Sequence, residues 1–322
     1  MPQYRKIILL VGAGQLGSRH LQGLVKCHYM LSIYVVDPSL DALAVAKQRW
    51  SDAGGGGSSH EVRFYQRWDE CPVDLDLAIV ATTASRRAQI VSSLAERGKV
   101  SYWLLEKVLA QNVEQLAELI VSVGAQSQGW VNTPRRAIPW HREIKNQLNA
   151  TGNISLKVEG GLWGMACNAI HFLDLMAWWT GEKLVALNTD GIDSKWIKAK
   201  RANNWEIVGS LEGVFSNGST VVMTSRPTGN PTYTMDVSNS LEDWHIDETQ
   251  GFVCKSGGKE VSIRLPLQSE MTASLVDEIL STGKCQLPDL ISSVATHRVL
   301  LDALLTHWRC HNEAYANCVP IT

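Results

Sequence analysis

The sequence has few of the patterns that hold metals or disulfides. Its seven cysteines are an odd number, and no two of them form a Cys-x-x-Cys pair. The nearest approach to a metal-binding pattern is His307, Cys310 and His311, a spacing that equally fits assorted polar residues on a terminal helix. We therefore predict no metal site and free thiols, which are typical of a reducing compartment, and a cytoplasmic location.

Long apolar runs and a strong net charge are also absent. No stretch approaches the roughly 18 apolar residues that span a bilayer. The opening MPQYRKIILLVGAG is too short in its apolar part for a signal peptide and ends in glycines. The formal net charge of −2 gives no electrostatic reason to expect nucleic acid or an anionic membrane as a partner. A small-molecule ligand is the remaining expectation.

The chain of 322 residues predicts two domains, and its first 150 residues alternate between strand and helix patterns. Runs rich in β-branched residues and leucine predict strands at 6–11, 32–36, 62–65, 75–81, 102–106 and 130–132. Helical patterns follow the first strand to about His28 and recur at 40–50, 86–97 and 113–123. Repeated βα units of this length predict a doubly wound parallel sheet.

The first predicted strand runs into GAGQLG, which fits the pattern Gly-x-Gly-x-x-Gly. Gly12 permits the tight turn, Gly14 lets the backbone approach a pyrophosphate, and Gly17 lets the helix pack closely on the strand. The helix that begins here, with Gln15 and Leu16 in its first turn, offers unpaired N–H groups to phosphates. The alternative interpretation is a glycine-rich turn in an α/β domain that binds no nucleotide.

An acidic residue, Asp37, stands 20 positions after Gly17, at the end of the second predicted strand. This spacing places it to accept hydrogen bonds from the adenosine ribose. A carboxylate there repels a 2′-phosphate, and the following Pro38 and Ser39 supply no arginine to receive one. The predicted cofactor is therefore NAD, with NADP the less favoured choice.

The second half of the sequence changes pattern after Gly152. A strand at 154–160 and a helix at 168–180 precede strand-like runs at 185–189, 206–215, 220–224, 232–238, 243–247, 252–255 and 260–263. Two helices, at about 269–282 and 290–309, follow. We predict a Rossmann domain over 1–133 and an α+β domain over 134–322 with a mostly antiparallel open sheet, in which a C-terminal helix packs back on the first domain.

Two further segments give the chain a family resemblance. YWLLEKVLA (102–110) places Glu106 and Lys107 at the carboxyl end of the fifth strand, where doubly wound sheets bind ligands. CNAIHFLDL (167–175) carries His171 in a helical pattern. With GAGQLG upstream, the chain resembles the Gfo/Idh/MocA oxidoreductase family over nearly its whole length. The resemblance implies NAD(P)-dependent oxidation or reduction of a sugar or related cyclic substrate, and a homodimer or homotetramer formed through the second-domain sheet.

The resemblance also assigns roles to individual residues. The family's Glu-Lys-Pro corresponds here to Glu106, Lys107 and Val108, so the lysine is present and the proline is not. Lys107 is expected beside the substrate oxygen and Glu106 beside the cofactor. His171 is the expected general acid–base, because an unperturbed imidazole titrates near neutral pH. The aspartate that the family carries one turn earlier is replaced by Cys167, which cannot supply its charge.

Other matches to the family pattern are looser. Thr82 and Thr83 are predicted to bound the nicotinamide half of the cofactor, in a loop where Arg87 replaces a family histidine. Arg135 and Arg136 are predicted to hold a carboxylate or phosphate of the substrate, or else to form a surface pair at a domain junction. Two residues of the histidine helix are expected near the substrate: Asn168 as a hydrogen-bond donor, and Asp174 to orient His171 or to serve a structural role.

These residues predict hydride transfer between NAD and a hydroxyl or carbonyl carbon of a sugar or amino-sugar derivative, including nucleotide-linked sugars of the surface-polysaccharide type. One alternative keeps the reaction and changes the substrate to a polyol, a dihydrodiol or a tetrapyrrole. Another, prompted by the departures at Val108, Cys167, Thr83 and Arg87, is a catalytically weak NAD-binding sensor or partner subunit.

Overall fold

The computed structural model describes residues 4–125, 127–148 and 152–322. The chain divides into two compact units. The first comprises Met1–Leu109, Gln115–Asn132 and Pro266–Ile291, and the second comprises Ala110–Glu114, Thr133–Leu265 and Ser292–Thr322. The division between Asn132 and Thr133 adjoins the predicted domain boundary, whereas Pro266–Ile291 returns to the first unit.

The helices and strands alternate in the first part of the chain and segregate in the second. The helices are α1 Gln15–Leu24, α2 Leu40–Asp52, α3 Ala84–Arg97, α4 Val113–Val123, α5 Pro139–Leu148, α6 Met165–Thr180, α7 Gln268–Thr282 and α8 Leu290–His311. The strands are β1 Lys6–Val11, β2 Leu31–Val36, β3 Glu61–Tyr65, β4 Leu75–Val80, β5 Val100–Leu105, β6 Gln128–Val131, β7 Ser155–Gly160, β8 Leu184–Asn188, β9 Ile197–Lys198, β10 Trp205–Glu206, β11 Gly209–Phe215, β12 Thr220–Ser225, β13 Tyr233–Ser238, β14 Asp243–Asp247, β15 Phe252–Lys255 and β16 Glu260–Ser262. No helix in the described ranges has the length and apolar character needed to cross a lipid bilayer.

The first unit is built on a parallel sheet in the order β3-β2-β1-β4-β5-β6. Apart from Lys6 and Asp76, which pair with each other at 3.1 Å, the central strands β1 and β4 are apolar because both faces are covered, and Ile8, Leu9 and Ile79 are fully buried. The chain leaves β1 toward β2 and β3, then returns to β4 on the other side of β1. The order thus reverses at β1 and β4, and doubly wound sheets bind ligands outside the carboxyl ends of the strands at such a reversal. The predicted Rossmann architecture is confirmed.

The second unit contains an eight-stranded sheet, in the order β16-β15-β14-β13-β7-β12-β11-β8 within the described residues. Its neighbours pair antiparallel except β7 and β12, which run parallel. The alternation of buried and exposed residues along β7 and β11 shows one covered face and one open face. The predicted mostly antiparallel sheet is confirmed.

Three elements differ from the sequence-based prediction. Helix α1 ends at Leu24, and tight bonds from Lys26 N–H and Cys27 N–H to the carbonyls three residues earlier close its last turn. The strand predicted over 206–215 breaks before Gly209, whose φ of +99° interrupts extended pairing. Helix α5 was not predicted from the sequence. Pro139, however, occupies the first helical position, where a missing N–H costs nothing.

Helix α7 packs against α1 in the first unit. The contact is close because Gly23 has no side chain. A Cβ at this position would lie 2.8 Å from Thr272 Cβ and 2.9 Å from the carbonyl oxygen of Ser269. A returning segment of the chain thus covers the outer face of the helix that follows the glycine turn.

We expect Gly23→Ala to destabilise the protein by about 1–3 kcal/mol, because the new methyl group meets backbone that must shift. Alanine at an uncrowded helical site has the opposite effect, stabilising by about 0.5–1 kcal/mol. Urea unfolding measures the difference. Gly56→Ala, where no atom lies within 4 Å of the added Cβ, is the matched control. A Gly23→Ala protein as stable as the wild type would contradict the close α1–α7 contact.

Candidate functional site

The turn after β1 contains three glycines, and each has different surroundings. Gly12 has a φ of +94°, and a Cβ on it would lie 2.8 Å from the carbonyl oxygen of Ala81. A Cβ on Gly17 would lie only 1.7 Å from the carbonyl oxygen of Gly12. Gly14 is the opposite case, because nothing lies within 4 Å of the point where its Cβ would be. The space at Gly14 is where a ligand can approach the backbone.

Helix α1 begins at this open glycine without a side-chain cap. Gly14 is the N-cap residue, and no carboxylate stands in the first turn. The first N–H groups of a helix have no intrahelical acceptor, so those of Gln15 and Leu16 are available to an anion. Arg49 of α2 holds this turn in place, with its guanidinium donating to Gln15 Oε1 at 2.7 Å and to Ser18 Oγ at 2.5 Å. No local pattern points to Arg49, which lies 34 residues from Gln15.

Asp37 stands at the end of β2, beside the glycine turn. Its carboxylate accepts a hydrogen bond from Ala13 N–H at 2.7 Å and another from Ser39 N–H at 2.8 Å. These two backbone donors fix the carboxylate between the turn after β1 and the start of α2. A carboxylate has about four acceptor positions, so Asp37 retains capacity for hydroxyl donors.

The loop after β4 contributes Thr82 and Thr83. Thr82 Oγ1 is buried, and no group of the described residues hydrogen-bonds to it. Thr83 is the N-cap residue of α3, with its hydroxyl 3.3 Å from Ser85 Oγ. Arg87 is almost fully buried and donates to the carbonyl oxygens of Thr82, Val108 and Leu109. It ties the loop after β4 to the segment after β5.

Glu106 and Lys107 follow β5 at the same sheet edge. Glu106 is buried, and its Oε1 accepts hydrogen bonds from His20 Nε2 at 2.8 Å and from Asn132 Nδ2 at 2.5 Å. Lys107 is half-buried, and the peptide bond between Lys107 and Val108 is cis. His20 and Asn132 were not singled out from the sequence, because an isolated histidine or asparagine carries no pattern.

In the second unit, His171 lies half-buried in the second turn of α6. The start of this helix gathers polar groups around Gly164, which has a φ of +75°. The Cβ position of Gly164 lies 3.1 Å from Asn168 Nδ2, 3.3 Å from Glu206 Oε1 and 3.5 Å from Cys167 Sγ. Glu206 also accepts from Ala166 N–H at 2.9 Å, so it places a carboxylate at the positive end of the helix. The sequence reasoning missed Glu206.

The two predicted substrate arginines hold carboxylates of their own chain. Arg135 is buried and bonds Glu248 through both Nε, at 3.1 Å, and Nη2, at 2.7 Å. Arg136 bonds Asp174 in the same bidentate way, at 2.8 and 2.6 Å. Bidentate pairs of this kind fix planar orientation as well as charge. Asp174 therefore anchors α6 to the turn that carries Arg136.

Glu248 collects further partners inside the second unit. Tyr233 donates its hydroxyl to Glu248 Oε2 at 2.5 Å, and His141 Nε2 lies 3.2 Å from Oε1. Burial opposes ionisation of Glu248, but Arg135 and His141 outweigh it and hold its pKa below the usual range. Burial lowers the pKa of His141 to about 4, against the opposing effect of the Glu248 hydrogen bond. Its Nδ1 has no hydrogen-bond partner among the described residues, which is compatible with a neutral imidazole that donates from Nε2.

Among the described residues, no three His, Cys, Asp or Glu side chains are grouped so as to hold a metal ion. None of the seven cysteines, all of which lie within the described ranges, forms a disulfide. His307, part of the weak metal pattern in the sequence, instead accepts a hydrogen bond from Trp196 Nε1 at 3.0 Å.

Solved structures of low sequence identity share this fold. UDP-N-acetylglucosamine 3-dehydrogenase GnnA from Acidithiobacillus ferrooxidans is 15% identical, with a TM-score of 0.70 over 97% of this chain and 99% of that chain. Scyllo-inositol dehydrogenase from Lactobacillus casei, with bound NAD(H) and scyllo-inositol, is 15% identical, with a TM-score of 0.66 over 94% and 97%. The transcriptional regulator Gal80p from Kluyveromyces lactis is 14% identical, with a TM-score of 0.67 over 95% and 93%.

No protein-family model matches the chain, and no curated protein matches it either. At identities near 15%, likeness between structures establishes the fold alone. The fold expected from the Gfo/Idh/MocA resemblance is thereby confirmed.

The low pKa of His141 predicts a pH-dependent stability. Between pH 6.5 and 4 the unfolded chain protonates this histidine and the folded chain does not, so acidification over that range removes about 3 kcal/mol of unfolding free energy. His141→Gln keeps an N–H donor for Glu248 and cannot titrate. We expect its unfolding free energy to fall by about 3 kcal/mol less than that of the wild type between pH 7 and 4. Chemical unfolding at each pH measures it. The control is His245→Gln, at a half-exposed histidine paired with Asp236. If the unfolding free energies of the wild type and His141→Gln fell equally between pH 7 and 4, the low pKa of His141 would be contradicted.

Proposed function

We propose that the protein is an NAD-dependent oxidoreductase that transfers a hydride between the nicotinamide and a hydroxyl or carbonyl carbon of a sugar or amino-sugar derivative. The observation that carries the proposal is the geometry of the glycine turn. Gly12 and Gly17 are closed by backbone contacts, whereas Gly14 opens onto an uncapped helix N-terminus. This arrangement suits a pyrophosphate, and it stands at the reversal of the strand order.

The residues of the first unit fit the rest of a dinucleotide. The N–H groups of Gln15 and Leu16 would hold the pyrophosphate, and Asp37 would accept the adenosine ribose hydroxyls. The fixed carboxylate of Asp37 disfavours a 2′-phosphate, so NAD is preferred over NADP. The buried Oγ1 of Thr82, which has no hydrogen-bond partner among the described residues, would supply a further polar contact at the same sheet edge.

Lys107 and His171 carry the proton chemistry in this proposal. The nicotinamide, when bound, accepts or donates the hydride. His171 takes the proton of the substrate hydroxyl, and Lys107 stabilises the developing alkoxide with its ammonium group. In the reductive direction these residues return the proton. Asn168 contributes a hydrogen bond to the substrate.

The substrate class is proposed from the resemblance and from two structural neighbours. Those neighbours are named for a nucleotide-linked amino sugar and for a cyclic polyol. Arg135 and Arg136 take a supporting part, since their guanidinium groups are engaged by Glu248 and Asp174. We therefore prefer, as the substrate, a neutral ring rich in hydroxyl groups to a compound whose carboxylate would be bound by these arginines.

The second candidate is a protein that binds NAD and regulates a partner without turnover. Two observations favour it. The fold also occurs in Gal80p, a transcriptional regulator. Cys167 stands where the family that the chain resembles carries an aspartate, and a cysteine does not supply the charge of that carboxylate. Both candidates predict cofactor binding, so turnover is the measurement that distinguishes them.

We expect Gly14→Val to remove NADH binding while leaving the fold intact. Gly14 has a φ of −62°, which any residue adopts, and its Cβ position is empty. An isopropyl group there would occupy the space that a pyrophosphate needs. Energy transfer from tryptophan to NADH measures the dissociation constant, with Gly56→Ala as the control. Unchanged binding by a folded Gly14→Val protein would refute the site.

We expect Lys107→Ala and His171→Ala each to lower kcat by about 10²–10⁴-fold, because each removes a group that handles the reacting oxygen. NADH affinity should change by less than about threefold. The assay follows NADH formation from NAD with UDP-N-acetylglucosamine or scyllo-inositol. Lys99→Ala and His245→Gln are matched surface controls. A wild-type protein that binds NADH and turns over no sugar or polyol would favour the regulatory candidate.

A further inference from the structure

A buried polar network stands directly before Lys107 in the chain. Both hydrogen bonds to Glu106 fall on one oxygen, Oε1, from His20 Nε2 at 2.8 Å and Asn132 Nδ2 at 2.5 Å. His20 is fully buried, and Glu106 and Asn132 are each 3% exposed. Because a carboxylate only accepts, His20 carries a hydrogen on Nε2.

The network continues into α7. Asn132 Nδ2 also donates to Gln268 Oε1 at 2.7 Å, and Gln268 Nε2 donates to Thr272 Oγ1 at 3.1 Å. Thr272 Oγ1 in turn lies 3.1 Å from His20 Nδ1. A closed ring of polar side chains thus joins α1, the ends of β5 and β6, and α7. Every amide orientation in it is fixed by its neighbours, because each Nδ2 or Nε2 meets an oxygen acceptor.

Lys107 is held on both sides. Before it, Glu106 is fixed by His20 and Asn132, and its backbone N–H donates to the Val80 carbonyl at 3.2 Å. After it, the carbonyl oxygens of Val108 and Leu109 accept from Arg87. The backbone on either side of Lys107 is therefore held by the contacts of Glu106, Val108 and Leu109.

We propose that His20 is a positioning residue for Lys107. Through Glu106, it links the helix whose first turn would hold the cofactor pyrophosphate to the strand end that carries the lysine. The proposal rests on the proposed function for what Lys107 does. It adds that the position of the lysine depends on a buried histidine of α1. Loss of the Nε2 donor lets Glu106 and the following backbone shift, so that the ammonium group is misplaced while the cofactor site persists.

The test compares His20→Leu with His20→Gln. Leucine fills a similar volume without a donor, whereas the amide of glutamine reaches the place of Nε2 and restores the bond to Glu106. His28→Gln is the matched control, since His28 makes a similar histidine–carboxylate pair with Asp277 of α7 at 2.7 Å with a side chain 91% exposed. Asn132→Ala, which removes the other donor to Oε1, replaces His20→Leu if that protein is not recovered folded.

The first readout needs no turnover. Limited acetylation with acetic anhydride, followed by peptide mass spectrometry, gives the labelling rate of Lys107 relative to that of the exposed Lys99. We expect this ratio to change at least threefold in His20→Leu and to return to the wild-type value in His20→Gln. The NADH dissociation constant should stay within threefold in both. In the active protein, kcat should fall at least tenfold in His20→Leu, with KM little changed.

Equal Lys107 labelling in wild type, His20→Leu and Asn132→Ala would overturn the positioning role. So would a His20→Gln protein as altered as His20→Leu, because the effect would then be one of core packing. If NADH binds and no substrate turns over, the proposed function fails separately. The labelling ratios still decide whether His20 positions Lys107.

Discussion

The contact between Gly17 and the carbonyl oxygen of Gly12 is the constraint on which the first unit depends. A Cβ at Gly17 would stand 1.7 Å from that oxygen, so only glycine lets α1 start this close to the end of β1. The position of α1 then determines three other features. Its first amides open at Gly14, His20 in its second turn hydrogen-bonds to Glu106, and Gly23 lets it pack closely against α7.

In each unit, residues close in sequence to the candidate catalytic residue make buried polar contacts. In the first, Arg87 and the His20–Glu106–Asn132 bonds bracket Lys107. In the second, Asp174 is bound to Arg136, and Phe172, next to His171, packs its ring under the guanidinium of Arg135 at 4.8 Å. Buried pairs of this kind cost more to break than they contribute when intact, so they hold geometry firmly. Lys107 and His171 are thus each carried by rigid elements.

Much of the fold was predictable, because its signals are local. The apolar runs of β1 and β4, the glycine spacing and the position of Asp37 are each readable within a few residues. The break before Gly209 and helix α5 were missed, since a positive φ and a proline at the first helical turn depend on context that periodicity does not contain.

The partners of the site residues were less predictable. The carboxylates that Arg135 and Arg136 bind lie 113 and 38 residues away in sequence, so residue spacing does not show these pairs. His20, Arg49 and Glu206 carried no pattern for the same reason, since each acts through a residue brought near by folding. Residue type and spacing identify groups capable of chemistry. They do not show which of those groups already bind other residues of the same chain.

The central claim is that the glycine turn and Asp37 form an NAD site. The most direct test titrates the purified protein with NADH and, separately, NADPH, following quenching of its tryptophans and energy transfer to the reduced nicotinamide. The account predicts micromolar binding with NADH clearly preferred. Preference for NADPH would contradict the role given to Asp37, and binding of neither would contradict the cofactor site itself.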